Sequence, residues 1–315
     1  MMSWSSGAFR TRDEQMTASK TFLIGLVAFG QVSMAWADDA GMIVNKAANF
    51  AAGKASSMTE NSLKDYIPTA EVDIKFSDEY DISGGMLVLV PIFETDDNSN
   101  LMFSQGSLYH YDDRTTVNIG LGYRHITMDD KLLLGVNAFY DHEFPYDHQR
   151  ASIGGELRTT VGEINTNYYW GMSGWKQGRP GTEERAMDGY DLELGVPLPY
   201  LPTTKARGTY FKWMPQSGSG GEHGFNYELS TEILPGFEIS AGHRDYSRSN
   251  DENYAKLTLN VFDALAGGEK AFMSDQAYQL ASIKEARYDK VRRENLIRKE
   301  TRATSGNFVV TVTGF

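Results

Sequence analysis

The sequence contains no cysteine, which excludes a disulfide framework, a thiol nucleophile and cysteine-ligated zinc or iron–sulfur sites. It is also short of positive charge: 30 Lys and Arg face 42 Asp and Glu over 315 residues, a net of -12. A nucleic-acid binder needs the opposite balance to neutralise phosphates, so that partner class is excluded. Long apolar runs are scarce as well. Thr21 to Ala37 forms the only one, and past it no window approaches about 18 consecutive apolar residues, so no transmembrane helix is expected there. A spanning β-barrel stays open, because its strands show only alternation and leave the average hydropathy low. Against these absences stand 31 Gly, an aromatic complement of 17 Tyr, 16 Phe and 5 Trp, and a mean hydropathy of -0.42.

The one apolar run is preceded by Arg10, Arg12 and Lys20 and closed by Ala35, Trp36 and Ala37 before Asp38. A basic region, a short apolar core and a small-residue cleavage site make a secretory signal peptide of residues 1–37. An uncleaved anchor is the alternative, but Gly30, Gln31 and Ser33 interrupt the core. Without the leader the chain holds 27 basic and 40 acidic residues, a net of -13.

From residue 70 to residue 262 the chain is a series of segments of roughly ten residues in which every second residue is apolar. Val117, Ile119, Leu121 and Tyr123 alternate with Asn118, Gly120, Gly122 and Arg124; Leu192, Leu194 and Val196 alternate with Asp191, Glu193 and Gly195. Period two means strands with one apolar and one polar face. Twelve segments are expected, starting near Ala70, Gly84, Leu101, Arg114, Lys131, His148, Val161, Met187, Thr204, Gly224, Gly236 and Asn253. Short turns such as Leu234-Pro235-Gly236 alternate with long polar loops over 172–186 and 214–223, the asymmetry of an outer-membrane barrel. Glu156, Glu163, Asp191, Glu193, Glu228 and Glu238 fall on the polar face, which a closed barrel turns to its lumen. Tyr140, Tyr168, Trp170, Tyr227 and Tyr254 are expected on the lipid side or at strand ends. A soluble β-sandwich would alternate too, although it would rarely need so many glycines.

The fold class expected is therefore all-β, a twelve-stranded antiparallel transmembrane β-barrel with short helical flanks. One flank, residues 41–67, has apolar residues at three- and four-residue spacing and belongs to a segment 38–69 ahead of the barrel. The other, residues 274–299, has good helix formers and Ser274 as an N-cap, within a linker of residues 263–307. It is basic: Lys284 to Arg302 carries eight Lys or Arg against four Asp or Glu, whereas residues 70–262 hold 15 basic and 29 acidic residues. A +4 segment after a -14 tube can sit inside it if carboxylates face guanidinium groups. It can equally be a solvated periplasmic helix. Arg287, Arg292 and Arg293 are the plug candidates, with the six lumen carboxylates opposite them.

The run from Asp113 to His125, Leu134 to Asp141, Glu184 to Asp191 and Leu198-Pro199-Tyr200-Leu201-Pro202 resembles the translocator barrel of the intimin/invasin family of inverse autotransporters. Leu63 to Glu71 ahead of the barrel and Ala286 to Val291 behind it resemble the flanking motifs of that family. The resemblance implies an outer-membrane barrel with a periplasmic N-terminus, whose chain turns back through the pore and carries a passenger outside. The passenger serves adhesion to host cells or biofilm contacts. This chain stops at Phe315, where a first passenger domain would be starting, so residues 308–315 are expected to be its remnant or beginning. Expected partners are outer-membrane lipids, the barrel-assembly machinery, for which Phe262 would end the last strand, and a cell-surface receptor met through the external loops or a separate passenger. A barrel closed by residues 308–315 is disfavoured because twelve strands are already available. A plain porin and an adhesin acting through its loops are the rival functions.

No enzyme, cofactor or metal is expected. Asp141-His142 and Asp147-His148 flank one loop at a spacing that matches no standard metal site. No Gly-x-Ser-x-Gly elbow occurs, and Gly120 and Gly122 lie within a strand with no helix following, the wrong setting for phosphate.

Overall fold

The computed structural model describes residues 66–80, 82–218, 220–267, 271–304 and 311–313. The leader, residues 41–65 of the expected N-terminal helix and most of 305–315 lie outside the described residues. In the strand Arg114–Thr127 the buried side chains are Arg114, Thr116, Asn118, Arg124 and, near the short-turn end, Ile126, while Ile119, Leu121 and Tyr123 are exposed. Asp188–Leu198 repeats the pattern, with Asp191 and Glu193 buried and Leu192 and Leu194 exposed. A water-soluble sheet does the reverse. Polar inside and apolar outside suits a closed barrel in lipid, where every backbone group must be paired within the sheet.

The closed barrel is built from β1 (Thr69–Ser77), β2 (Ser83–Glu94), β3 (Asn100–Tyr111), β4 (Arg114–Thr127), β5 (Leu132–Phe144), β6 (His148–Thr159) and β7 (Gly162–Gly171). It continues through β10 (Asp188–Leu198), β11 (Leu201–Met214), β12 (Glu222–Leu234), β13 (Phe237–Tyr246) and β14 (Glu252–Asn260). These twelve strands start within three residues of the expected positions. Neighbours are antiparallel, and β1 closes on β14 from Glu71↔Asn260 to Ser77↔Tyr254. Between β7 and β10 the long loop folds into a hairpin, β8 (Lys176–Gln177) and β9 (Thr182–Ala186), which stands apart from the barrel sheet.

Glycines on the inner face make room for large neighbours. A Cβ on Gly122 would lie 2.2 Å from Phe103 Cζ, and one on Gly120 would lie 2.4 Å from the Phe139 ring. Phe103 and Phe139 thereby pack inside the barrel, and with Leu89 and Leu101 they form an apolar cluster around Val291.

Three expectations are corrected. Residues 274–299 are not a helix: Lys284–Tyr288 is a single 3-10 turn and the chain beyond it has no helix, only irregular backbone with bends at Asp289 and Leu296, up to β15 (Lys299–Ala303). The reason is length and pairing. Roughly ten helical residues rise about 15 Å, half of what the same residues cover when extended, and the wall supplies partners for the non-helical backbone. Phe262 is not in the last strand; β14 ends at Asn260, and buried Phe262 lies in α1 (Val261–Ala266), whose Asp263 N–H donates to Asn260 Oδ1 at 3.3 Å. Tyr254 faces the lumen, donating to Glu228 at 3.1 Å, rather than lipid.

Candidate functional site

The chain crosses the short-turn rim before it enters the pore. Ser274 N–H donates to the Tyr200 carbonyl at 2.9 Å, Thr160 Oγ1 to the Gln279 carbonyl at 2.7 Å, and Ile283 N–H to the Asp130 carbonyl at 2.7 Å. These acceptors and donors lie on three successive turns, so the segment is strapped along the rim. Ile283 then packs with Ile126 and Leu133 at the mouth, and the 3-10 turn leads the chain inward.

Inside, the linker side chains meet the wall as ion pairs. Arg287 Nε donates to Glu94 at 2.6 Å, and Lys290 pairs with Glu71. Arg292 forks onto Glu193 with two bonds of 2.8 Å and reaches Glu228 at 3.5 Å. Arg293 forks onto Asp141 at 2.8 and 2.7 Å, donates to Ser152 at 3.0 Å, and lies 4.3 Å from the Phe139 ring centre. Lys299 donates to Glu143 at 2.6 Å. Two-point guanidinium–carboxylate geometry is what lets such charges leave bulk water, since it satisfies both partners at once.

All three arginines named from the sequence reach wall carboxylates. Of the six carboxylates named, Glu193 and Glu228 meet the linker, through Arg292. Glu156 is bound by wall residues Arg124 and Arg158, and Glu163 by Arg207 at 2.9 Å. Asp191 accepts from Asn167 and Tyr169 at 2.7 Å each, and Glu238 lies beside Ser240. The further partners Glu71, Glu94, Asp141 and Glu143 escaped the reading. For Asp141 and Glu143 the signal was available: they continue the inward phase of Asn137 and Phe139, and the strand runs on to Phe144.

The backbone of the linker is held as well. Arg124 Nη1 donates to the carbonyls of Arg287 and Asp289 at 2.6 and 2.7 Å. Arg150 donates to those of Glu294 and Leu296 at 2.7 and 3.0 Å, and Arg158 to that of Lys290 at 2.9 Å. Asn118 and Asn167 donate to the carbonyls of Asn295 and Arg292, each at 3.0 Å. In return, Val291 N–H donates to Gln105 and Glu294 N–H to the Tyr169 hydroxyl, each at 2.8 Å.

At the long-loop mouth β15 adds to the β8–β9 hairpin, pairing antiparallel with β9 from Lys299↔Ala186 to Ala303↔Thr182, and β16 (Thr311–Thr313) pairs along its other edge. Arg185 and Glu300 pair at 2.7 Å across this sheet, and the Arg302 and Arg185 guanidinium groups lie 4.2 and 4.8 Å from the Trp175 ring. Below it, ligand atoms of Glu143, His148 and Glu184 lie within 4.8 Å of one another, but cations already hold the carboxylates. Arg114 forks onto Glu184 at 2.7 and 2.9 Å and bonds Glu143 at 2.9 Å, and Lys299 takes the other Glu143 oxygen. Burial alone would raise the carboxyl of Glu184; bonds from His148 and Arg114 outweigh it and hold the group below the usual carboxylate range. This set fits a charge-paired latch and does not fit a metal ion.

An apolar coat, a polar lumen and a chain threaded from one rim to the other define an outer-membrane β-barrel that encloses its own C-terminal segment. The family model described as "Inverse autotransporter, beta-domain" matches residues 27–295, and the chain belongs to this family, that of intimin and invasin. It is 28% identical over 289 residues to "Inverse autotransporter adhesin YeeJ" of Escherichia coli K12, 86% of this chain and 12% of that protein. It is likewise 28% identical over 265 residues to "Intimin" of Escherichia coli O127:H6, 80% of this chain and 27% of the relative. With "Invasin" of Yersinia enterocolitica it shares 31% identity over 137 residues, 42% of this chain and 16% of that one. The chain therefore spans no more than 27% of the length of these three relatives. A membrane protein solved in a study of in-meso crystallization shares the fold at a TM-score of 0.62 and 23% identity, covering 75% of this chain and 100% of that one. The protein resides in the outer membrane, with its apolar coat against lipid.

Proposed function

We propose that this chain is the anchor and translocator of an adhesin, with the short-turn rim in the periplasm and the long-loop rim outside the cell. Residues 1–37 direct export, residues 38–69 stay periplasmic, and residues 263–307 carry the chain from the last strand through the pore to the surface. The observation that carries this reading is the threaded linker, which runs from the short-turn rim past Glu94, Glu193 and Asp141 to the external hairpin. A passenger attached beyond it would emerge outside, which agrees with the adhesin named among the relatives. In the resting protein the linker is the plug. Arg287, Arg292 and Arg293 lock it by charge pairing, and of the remaining lumen carboxylates Glu156 and Glu163 are neutralised by wall arginines.

Deletion of residues 274–302 tests this. The intact chain is expected to be closed in planar bilayers and the deletion to conduct; equal conductance would sink the plug. A plain porin would conduct in both forms. An adhesive role for the loops 172–186 and 214–223 predicts lost cell binding when they are shortened while the barrel still assembles.

A further inference from the structure

The wall makes two kinds of contact with the linker, and they differ in what they require of the bound chain. The ion pairs need particular side chains: Glu193 needs an Arg292 and Asp141 needs an Arg293. The bonds from Arg124, Arg150, Arg158, Asn118 and Asn167 go to carbonyl oxygens, which every residue has, proline included. We propose that these side chains form a track that binds extended peptide backbone of any sequence, gripping successive stretches of chain during transit. The proposal rests on the translocator reading above and adds the part of the wall that does the gripping.

Three observations support a built track. First, the donors hold their positions through wall partners rather than through the linker. Glu156 accepts Arg124 at 2.5 and 3.1 Å and Arg158 at 2.7 Å, all three side chains being buried. Asp141 accepts Arg150 Nε at 2.8 Å and Asn118 at 2.8 Å. A guanidinium has five N–H donors in a rigid fork, so one edge can be fixed by the carboxylate while the other stays aimed into the lumen. This gives Glu156 a role its sequence position did not suggest: it orients the two arginines that hold backbone.

Second, one set of acceptors falls at alternate residues. The carbonyls of Lys290, Arg292, Glu294 and Leu296 share one parity, so in an extended chain they point the same way. Their donors run in order from Arg158, six positions below Ser152 on β6, through Asn167 on β7 to Arg150 at the long-loop end of β6. Advancing the chain by two residues would present the same set of donors with the next carbonyls. Third, inside the barrel, from Arg287 to Leu296, the linker backbone is bonded by wall side chains and not by wall backbone, the ladder of β15 on β9 lying beyond this stretch at the long-loop mouth. The barrel sheet has no free edge for the chain to join, because β1 is closed by β14, so along the lumen wall an occupant can slide without unzipping a strand ladder.

The test is made on the full chain, extended past Phe315 by unfolded epitope-tagged tails of glycine/serine-rich, threonine-rich and acidic composition and expressed in a Gram-negative host. Surface arrival is read by protease accessibility in intact cells, and barrel assembly by heat-modifiable gel migration. The triple variant Arg124→Lys, Arg150→Lys, Arg158→Lys keeps every charge but replaces each rigid five-donor fork by a compact three-donor ammonium, so Arg124 and Arg150 lose the separate nitrogens with which they hold carboxylate and carbonyls. Surface arrival of all three tails is expected to slow alike, by about tenfold or more, with assembly intact. Arrival at the native rate, or slowing of one tail only, would overturn the track. If the native chain delivers no tail, the translocator reading itself fails, which is a separate outcome. Should the lysine variant not assemble, Asn118→Leu with Asn167→Leu removes two carbonyl donors without touching a charge and is read the same way.

Discussion

Asp141 is where wall and linker are most tightly joined, and replacing it by Asn is the sharpest probe of the plug. The carboxylate is fully buried and takes two bonds from Arg293, one from Arg150 and one from Asn118. Neutralising it leaves two buried guanidinium groups facing each other with no counter-ion between them. Breaking a buried pair by removing one partner costs roughly 3–5 kcal/mol. Most of that falls on the linker-bound state, because Arg293 regains water when the linker leaves and Arg150 alone stays in the wall. At about 1.4 kcal/mol per decade the fraction of time spent open should rise by roughly two to three orders of magnitude. Single-channel recording of Asp141→Asn in planar bilayers measures this as open probability. The companion variant Arg293→Met should also open, and the double variant should recover much of the loss, since with Arg293 gone only Arg150 remains to face the neutral Asn. Additive effects in the double variant, or an Asp141→Asn barrel as closed as the native one, would refute the assignment of Asp141–Arg293 as a lock.

Other expectations are cheaper to check. Arg292→Met leaves Glu193 without its fork and should raise open probability by a smaller factor, because Thr209 and Asn165 still donate to that carboxylate; the same recordings rank the two locks. Leu194→Lys places a charge on the lipid face and should cost about 2–4 kcal/mol near mid-membrane, read by denaturant unfolding in vesicles. Gly122→Val crowds Phe103, so heat-modifiable migration should reveal poor assembly, whereas Gly208→Ala, with open space around it, should be neutral. In the turn after β2, bonds from Thr95 and Ser99 lower the Asp97 carboxyl to about 2. Its folded value lies below the unfolded value near 3.9, so its contribution is complete above about pH 4 and is lost as pH falls through about 2. NMR titration of the Asp97 carboxyl should therefore find a midpoint well under 3.9; an ordinary midpoint would contradict the turn geometry.

The twelve strands were legible because lipid and lumen impose opposite preferences on alternate residues. Val117 to Arg124 could not satisfy both sides in any other phase. Inner glycines were legible as an excess, but their purpose was not: Gly120 and Gly122 accommodate rings that arrive from β5 and β3. Tyr254 misled because a tyrosine suits a lipid headgroup and a lumen carboxylate equally, and only its register, across Gly242 from Glu228, distinguishes them. The linker misled for a related reason. Residues 274–299 have helix-forming composition, but propensity is a weak prior of tenths of a kcal/mol per residue. Arg124, Arg150 and Arg158 offered the non-helical backbone hydrogen bonds that outweigh it.

The sequence by itself determined the barrel, its strand number, its inside and outside, and the opposition of an acidic wall to a basic tail, because each of these follows from local alternation and charge. Only the tertiary structure decided which charges meet. Asp141 and Arg293 are 152 positions apart along the chain, and their fork depends on barrel closure, strand register and the point at which the linker enters. The same long-range geometry sets apart the wall arginines that pair with a carboxylate and also hold the linker backbone, a distinction no local pattern encodes.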